Sequence, residues 1–116
     1  MKNYFQLLSL VCILNVNSQV VTNSTELQDA ITNATAGTII ELTDGTWMDV
    51  QISINVNATE IDPCIIRAQN AGNVSFEGRS NISLGGSYVI FEGVVFQNAS
   101  GLISSGGRIE PIIEFR

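Results

Sequence analysis

The residues that could do chemistry in this 116-residue chain are mostly acidic. Eleven aspartates and glutamates stand against five basic residues, histidine is absent from the sequence, and Lys2 is its one lysine. Glu60 and Asp62 lie two residues apart in a polar stretch that ends at Pro63, and paired carboxylates of this kind could ligate a cation. A solvated loop explains the same pair, and we favour that interpretation.

Other catalytic arrangements have less support. Glycoside hydrolysis needs two carboxylates that converge across a sugar, but Glu77, Glu92 and Glu110 do not fall on one predicted face. No Cys/His cluster with zinc spacing occurs. Cys64 falls in an inward-facing position, which favours a small core residue over a reactive thiol. We therefore assign no catalytic, cofactor-binding or metal-binding residue within 19–116.

Residues 1–18 predict a cleaved secretory signal, and hence a secreted or periplasmic protein. Lys2 precedes an apolar run over residues 4–14, and small residues up to Ser18 offer a cleavage point ahead of Gln19. The run is shorter than the roughly 20 residues needed to span a bilayer. A buried N-terminal strand or helix is the alternative.

The charge of the mature chain excludes one class of partner. After signal cleavage, four arginines stand against eleven acidic residues, so the formal net charge is −7. A nucleic-acid surface would need clustered lysine and arginine, so we expect no nucleic-acid partner, and no membrane partner after cleavage. Binding of a polyanion would need a basic groove elsewhere or a bridging metal.

Four short runs rich in β-branched residues align in columns and predict stacked strands. Their charged fourth positions, Glu41, Arg67, Glu92 and Arg116, are separated by 26, 25 and 24 residues, a period typical of solenoids. Alternation places two apolar columns inward and the charged column outward. The first inward column is Thr38, Cys64, Val89 and Ile113, and the second is Ile40, Ile66, Phe91 and Phe115. The charged face also carries Ile39, Ile65 and Ile90, so a loop must cover these side chains or they lie open to solvent.

Two shorter ladders complete a three-stranded coil. Residues 74–77 resemble 94–97, and residues 82–86 resemble 103–107. Three strands per coil with no helix between them describe an all-β parallel β-helix. A β-sandwich whose strands resemble one another by chance is the alternative.

One amphipathic helix precedes the first coil. Thr25 and Gln28 form a predicted capping box, and Gly37 supplies the stop. The stripe that follows has helical spacing and consists of Leu27, Ala30, Ile31 and Ala34. We expect this helix to cover the open end of the solenoid; a packing helix in an ordinary α+β domain is the alternative.

The connections are predicted from turn residues. Asp44–Gly45 and residues 70–73 are turn signals, residues 46–52 are predicted to continue as one extended run, and residues 55–62 are predicted to form a loop. Six Asn-x-Ser/Thr triplets are formal glycosylation acceptors, although chance and turn chemistry explain them better. They begin at Asn23, Asn33, Asn57, Asn73, Asn81 and Asn98.

The order of these segments resembles the N-terminal part of polysaccharide lyase family six, which contains alginate lyases and chondroitinase B. The resemblance runs from about Asn23 to Arg116. It rests on Leu27-Gln28-x-Ala30-Ile31, Ala36-Gly37-Thr38-Ile39-Ile40, Asp44-Gly45-Thr46-Trp47-x-Asp49-Val50, Pro63-x-Ile65-Ile66-Arg67-Ala68, Phe76-x-Gly78 and Val89-x-Phe91-Glu92-Gly93-x-x-Phe96. It implies a secreted enzyme with a right-handed parallel β-helix, of which residues 19–116 are the cap helix and first coils.

The resemblance also implies a chemistry, namely β-elimination on an acidic, uronate-containing polysaccharide such as alginate. In the family, Ca²⁺ commonly neutralises the uronate carboxylate, a lysine acts as base and an arginine assists the leaving oxygen. No residue of 19–116 matches these groups, so we expect them downstream of Arg116, in a longer protein. A non-enzymatic adhesin or carbohydrate-binding protein on the same scaffold is the main alternative, and pectate lyases and epimerases are others.

Overall fold

A computed structural model of the chain describes residues 18–99, 103–105 and 113–115. Within those residues, one helix and eleven short strands follow one another. They are β1 (Ser18–Val21), α1 (Ser24–Thr32), β2 (Ile39–Leu42), β3 (Gly45–Met48), β4 (Gln51–Asn57), β5 (Cys64–Ala68), β6 (Val74–Gly78), β7 (Asn81–Ser87), β8 (Val89–Glu92), β9 (Val94–Ala99), β10 (Ile103–Ser105) and β11 (Ile113–Phe115).

The strands form three sheets, and every strand pairing is parallel. Sheet A has the order β1-β2-β5-β8-β11, sheet B the order β3-β6-β9 and sheet C the order β4-β7-β10. From β2 onward the chain visits sheets A, B and C in turn and then returns to sheet A one strand further along. This is a parallel β-helix with three strands per coil, as predicted. The β-sandwich alternative is wrong, because a sandwich is built from antiparallel sheets.

The predicted register of sheet A is confirmed. Ile40 pairs with Ile66, and Ile66 with Phe91. Glu41 pairs with Arg67, whose next partner is Glu92. The Arg67 Nε and Nη2 atoms lie 3.0 and 2.9 Å from Glu41 Oε2. β11 continues the sheet with Ile113 opposite Val89, whereas Arg116 lies outside the described residues.

The two shorter ladders are confirmed as well. Val74 pairs with Val94 and Phe76 with Phe96, before the register shifts between Phe76 and Gly78. In sheet C, Ile82 pairs with Ile103. The shift is an irregularity of the β-bulge kind, which re-aims the end of a strand without breaking the sheet.

The core lies between the three sheets, and aromatic rings connect sheet B to sheet A. Phe76 of sheet B is fully buried, and its ring centroid lies 6.0 Å from that of Trp47 and 5.4 Å from that of Phe96 in the same sheet. It lies 6.2 Å from the centroid of Phe91 in sheet A, in an edge-to-face arrangement. Such pairs stabilise by about 0.5–1.5 kcal/mol beyond the burial of their area. The inward positions predicted in sheet A that the structure describes are buried: Thr38, Ile40, Cys64, Ile66, Val89 and Phe91.

Helix α1 begins earlier than the predicted capping box. Asn23 is the N-cap, and its side-chain oxygen accepts a hydrogen bond from the Glu26 N–H at 2.8 Å. Glu26 in turn accepts from the N–H and Oγ of Thr22 at 2.8 and 2.9 Å, and these bonds lower the pKa of its carboxyl group. The box is therefore closed by Asn23 and Glu26, and Thr25 lies inside the first turn. Three potential caps follow one another in the sequence, and local chemistry does not rank them.

The end of α1 also differs from the prediction. The last helical residue is Thr32, and Asn33 is the C-cap, whose N–H donates to the Asp29 carbonyl at 3.2 Å, while the Ala34 N–H donates to the Ile31 carbonyl at 3.1 Å. Gly37 lies beyond the helix at φ +84°, where its N–H donates to the Asp62 carbonyl at 3.0 Å. This glycine shapes the entry to β2 and does not stop the helix.

The predicted covering role of α1 is confirmed. Leu27, Ala30 and Ile31 are buried, and the helix packs mainly on β4, the outermost strand of sheet C. The Gln28 amide meets the free edge of that strand, because its Oε1 accepts from the Ser53 N–H at 2.9 Å and its Nε2 donates to the Ser53 carbonyl at 3.1 Å. One side chain thus imitates a neighbouring strand. Among the described residues, α1 is the one helix, and it is far too short to cross a bilayer.

The predicted extended run 46–52 is broken by a corner. Asp49 adopts φ +51° and separates β3 from β4, and its Oδ1 accepts from the Arg79 N–H of the next coil at 2.7 Å. The Val50 N–H donates to Ser80 Oγ at 3.0 Å. The predicted loop 55–62 is shorter than expected, because β4 continues to Asn57 with Val56 buried beneath it.

Replacing Gln28 tests the edge contact. We expect Gln28→Ala to weaken protection of the Ser53 amide against hydrogen exchange by about tenfold, since two hydrogen bonds of roughly 0.5–1.5 kcal/mol each are lost. Thr25→Ala is the matched control, because Thr25 is exposed on the same helix and makes no side-chain hydrogen bond within the described chain. Unchanged exchange at Ser53 in Gln28→Ala would show that the helix does not cover this edge.

A double-mutant cycle tests the charged column. Glu41→Gln and Arg67→Gln should each destabilise the protein, with a coupling energy of about 0.2–1 kcal/mol that shrinks in concentrated salt, because both side chains are partly exposed. Urea unfolding of the four proteins measures the coupling. Glu60→Gln combined with Arg67→Gln is the control and should show none. Zero coupling between positions 41 and 67 would contradict the register.

Candidate functional site

The outer face of sheet A carries the ion pair and the three isoleucines. The side chains of Arg67 and Glu41 are 37% and 23% exposed, so the pair is reachable from solvent. Ile39, Ile65 and Ile90 are half-buried on this same face. The face therefore offers one apolar column beside one column of alternating charge.

A shallow depression of about 300 Å³ opens where the connection from sheet A to sheet B becomes shorter. Five residues, 69–73, join β5 to β6 in one coil, but Gly93 alone joins β8 to β9 in the next. Gly93 has φ +80°, and a Cβ at this position would lie 3.3 Å from Ala68 Cβ and from Ala71 Cα. A larger residue at position 93 would strain the backbone and fill the depression. Its lining is Arg67, Ala68, Ala71, Glu92 and Gly93.

This depression could hold a sugar ring. Arg67 has guanidinium donors, and Glu92 has carboxylate acceptors, beside an apolar floor of alanine and glycine. Hydroxyl groups bind to such donors and acceptors. A guanidinium group donates hydrogen bonds and accepts none, so Arg67 is not a general base. The depression therefore offers groups that bind hydroxyls, and we assign no base in it.

The structure does not gather Glu60 and Asp62 into a metal site. Both side chains are exposed, and Asp62 serves the turn through its backbone, whose N–H donates to Thr59 Oγ at 3.1 Å. No group of three Asp, Glu or Cys residues within the described ranges could hold a metal ion. The donor set present here does not fit the Ca²⁺ that the resemblance implies, and we derive no step through that ion.

The remaining carboxylates lie on different faces. Glu77 is on sheet B, where its Oε2 accepts from Ser75 Oγ at 2.9 Å and from Gln97 Nε2 at 3.4 Å. Glu92 is on sheet A, and Glu110 lies outside the described residues. Glu77 and Glu92 lie on different sheets and are not the converging pair that glycoside hydrolysis requires.

Cys64 is a core residue. Its side chain is fully buried and makes no disulfide, and burial raises the pKa of the thiol to about 11. The thiolate is the reactive form of cysteine, so Cys64 is inert at neutral pH.

Two of the asparagine triplets serve the helix ends. Asn23 and Asn33 are the two caps of α1, whereas Asn57 and Asn73 are exposed on the coils. The side chain of Asn98 lies outside the described residues. Capping thus explains part of the asparagine richness of the chain, which sequence reasoning had attributed to turns.

Sequence reasoning missed the roles of two residues, Asp49 and Asn70, which hold different corners of the coil. Asp49 holds the corner between sheets B and C, and Asn70 donates through Nδ2 to both Asp44 carboxylate oxygens at 3.1 and 3.0 Å. The signal for the second pair was present, since Asp44 and Asn70 are 26 residues apart, the same spacing as Glu41 and Arg67.

Comparison with known proteins gives one family. The profile described as Chondroitinase B matches residues 21–105. The PL6 family polysaccharide lyase Pedsa3628 from Pseudopedobacter saltans is 36% identical over 69% of this chain, with a TM-score of 0.66. The PL6 family alginate lyase AlyGC is 30% identical over 71% of this chain, with a TM-score of 0.67. A search of curated proteins found no match.

The chain spans a small part of these relatives. The matched region covers 19% of the Pseudopedobacter enzyme and 11% of AlyGC. The profile match nevertheless covers most of this chain, and the matched structures share its fold. The chain therefore belongs to the Chondroitinase B family, the PL6 polysaccharide lyases.

Proposed function

We propose that this chain is the N-terminal part of a secreted lyase that cleaves alginate by β-elimination. The observation that carries the proposal is the 36% identity to a PL6 polysaccharide lyase across coils of the same fold. At this level of identity the likeness concerns the sequence of the coils as well as their shape. Family membership supports a polysaccharide substrate, and the acidic polymer, with alginate as our choice, is the finer part of the proposal.

The choice of alginate rests on the relatives. Of the two solved relatives named above, AlyGC is described as an alginate lyase, whereas the matching profile takes its description from chondroitinase B. The charge of the chain is equally compatible with either polymer. Because the mature segment carries a net charge of −7, a polyanion must be held by basic groups or bridging metal elsewhere in the protein.

The reaction needs groups that this segment does not supply. In β-elimination a base removes the proton beside the uronate carboxylate, and the glycosidic bond to the neighbouring carbon then breaks. The base must be deprotonated near neutral pH, and the carboxylate charge must be neutralised. The part of the chain that the structure describes contains no lysine and no histidine, and the guanidinium group of an arginine accepts no hydrogen bond. We place the base, the assisting arginine and the implied calcium in later coils.

The contribution of this segment is structural. α1 and Gln28 cover the first strand of sheet C, β1 extends sheet A beyond β2, and the Glu41–Arg67 pair fixes the register on which the next coils stack. Each coil presents a strand edge to the coil that follows, so an error of register in the first coil would be passed on to later ones. The segment thus aligns a catalytic groove that it does not itself contain.

Activity of the full-length secreted protein tests the proposal. We expect new ultraviolet absorbance of unsaturated uronate ends from alginate, little from dermatan sulfate, loss of activity with a chelator and recovery with Ca²⁺. Residues 19–116 alone should be inactive, since they lack the base. We also expect this segment to be poorly soluble. No unsaturated product from either polymer would favour the non-enzymatic alternative, and product from dermatan sulfate alone would reverse the substrate choice.

A further inference from the structure

The predicted signal cleavage point lies inside a strand of the fold. β1 begins at Ser18, and its residues pair in parallel with β2, Gln19 lying opposite Ile40. A cut ahead of Gln19 shortens β1 by one residue and leaves a glutamine as the first residue of the mature chain. The rest of the strand keeps its anchor, because Val21 is buried and its carbonyl accepts from the Thr43 N–H at 3.2 Å.

We propose that Gln19 closes to pyroglutamate after this cut. The neutral α-amine attacks Cδ of its own side-chain amide, a C–N bond forms, the bond from Cδ to Nε2 breaks, and ammonia leaves with the proton of the amine. The reaction needs no other reactant. An α-amino group has a pKa of about 7.7–8.0, so roughly a tenth to a sixth of it is neutral at pH 7.

The surroundings of Gln19 permit ring closure. Gln19 is exposed, and its side chain makes no hydrogen bond within the described residues, so the amide can turn back onto its own nitrogen at no cost in contacts. It also borders an open groove of about 350 Å³ between β1 and α1. The lactam keeps one N–H and leaves ψ of residue 19 free, so the strand conformation of β1 is retained.

The ring would protect the outermost strand of sheet A. β1 forms the edge of that sheet and covers the otherwise open edge of β2. Its first three residues are exposed, so an aminopeptidase could reach a free α-amine and shorten the strand. A lactam has no free amine to be recognised, and it removes the terminal charge. The modification thus preserves β1 in a protein that leaves the cell.

Mass analysis of the secreted protein tests this inference, which rests on the secretion that we propose. The gene is expressed with its own residues 1–18, and the freshly purified product is cut after glutamate to release residues 19–26. We expect this peptide to be about 17 Da lighter than its linear sequence, by loss of one ammonia, and to resist amine labelling. A synthetic linear peptide of the same sequence, handled in parallel, should keep its full mass.

Gln19→Ala is the matched variant. It leaves the residues before the cleavage point unchanged and has no amide to close, so we expect a labelled amine and rapid trimming by an aminopeptidase that leaves the wild type intact. A peptide that begins at Gln19 with full mass would overturn the cyclisation, and a different first residue would overturn the cut as well. Lyase activity of the same preparation is read separately, so failure of this inference is distinguishable from failure of the proposed function.

Discussion

Parallel stacking of coils in register is the constraint on which the rest of the structure depends. Strands about 4.8 Å apart bring like positions of successive coils into contact, so the inward columns are mostly apolar and charged residues of opposite sign can share an outward column. Ile40, Ile66 and Phe91 satisfy this inside sheet A, and Glu41 with Arg67 satisfies it outside. A slip of one residue would turn every inward side chain outward, which makes the register far more strongly fixed than any single contact in it.

The first coil creates a second requirement, because its strands have edges with no coil before them. The protein meets it differently in sheets A and C. In sheet A, β1 supplies an extra strand, and in sheet C the Gln28 amide takes the place of one. These devices occupy the N-terminal third of the chain and explain why its residues are devoted to closure and alignment.

Much of the fold could be predicted from the sequence because stacked coils require similar residues at a regular spacing. The spacing of Glu41, Arg67 and Glu92 gave the register of sheet A directly, and the covering helix followed from its apolar stripe. Contacts without a period were missed. Asp49 turns the chain at positive φ, but an aspartate occurs so often in loops and beside strands that its presence alone does not predict a corner. The role of Gln28 depends on Ser53, which is 25 residues away.

The candidate site could be predicted only in part, for a physical reason. The lack of lysine and histidine in the mature segment can be seen from its composition. The depression at Gly93 arises from the difference between two connection lengths, which can be recognised only after the strands are placed. The polarity of residues 55–57 led to a wrong prediction, because these residues belong to a strand and not to a loop. They read as a loop, yet Val56 alternates with asparagines and is buried, so the strand pattern there was real.

The register itself is tested most directly by a disulfide between neighbouring coils. Ser53 and Ser83 are outward-facing register partners in sheet C, at a separation typical of bridged cysteines. Ser53→Cys with Ser83→Cys should oxidise to a bridged protein, seen as the loss of two free thiols with Cys64 still reduced. Ser53→Cys with Asn81→Cys, two residues out of register, should not. Efficient bridging of the second pair and not the first would contradict the stacked, in-register coil.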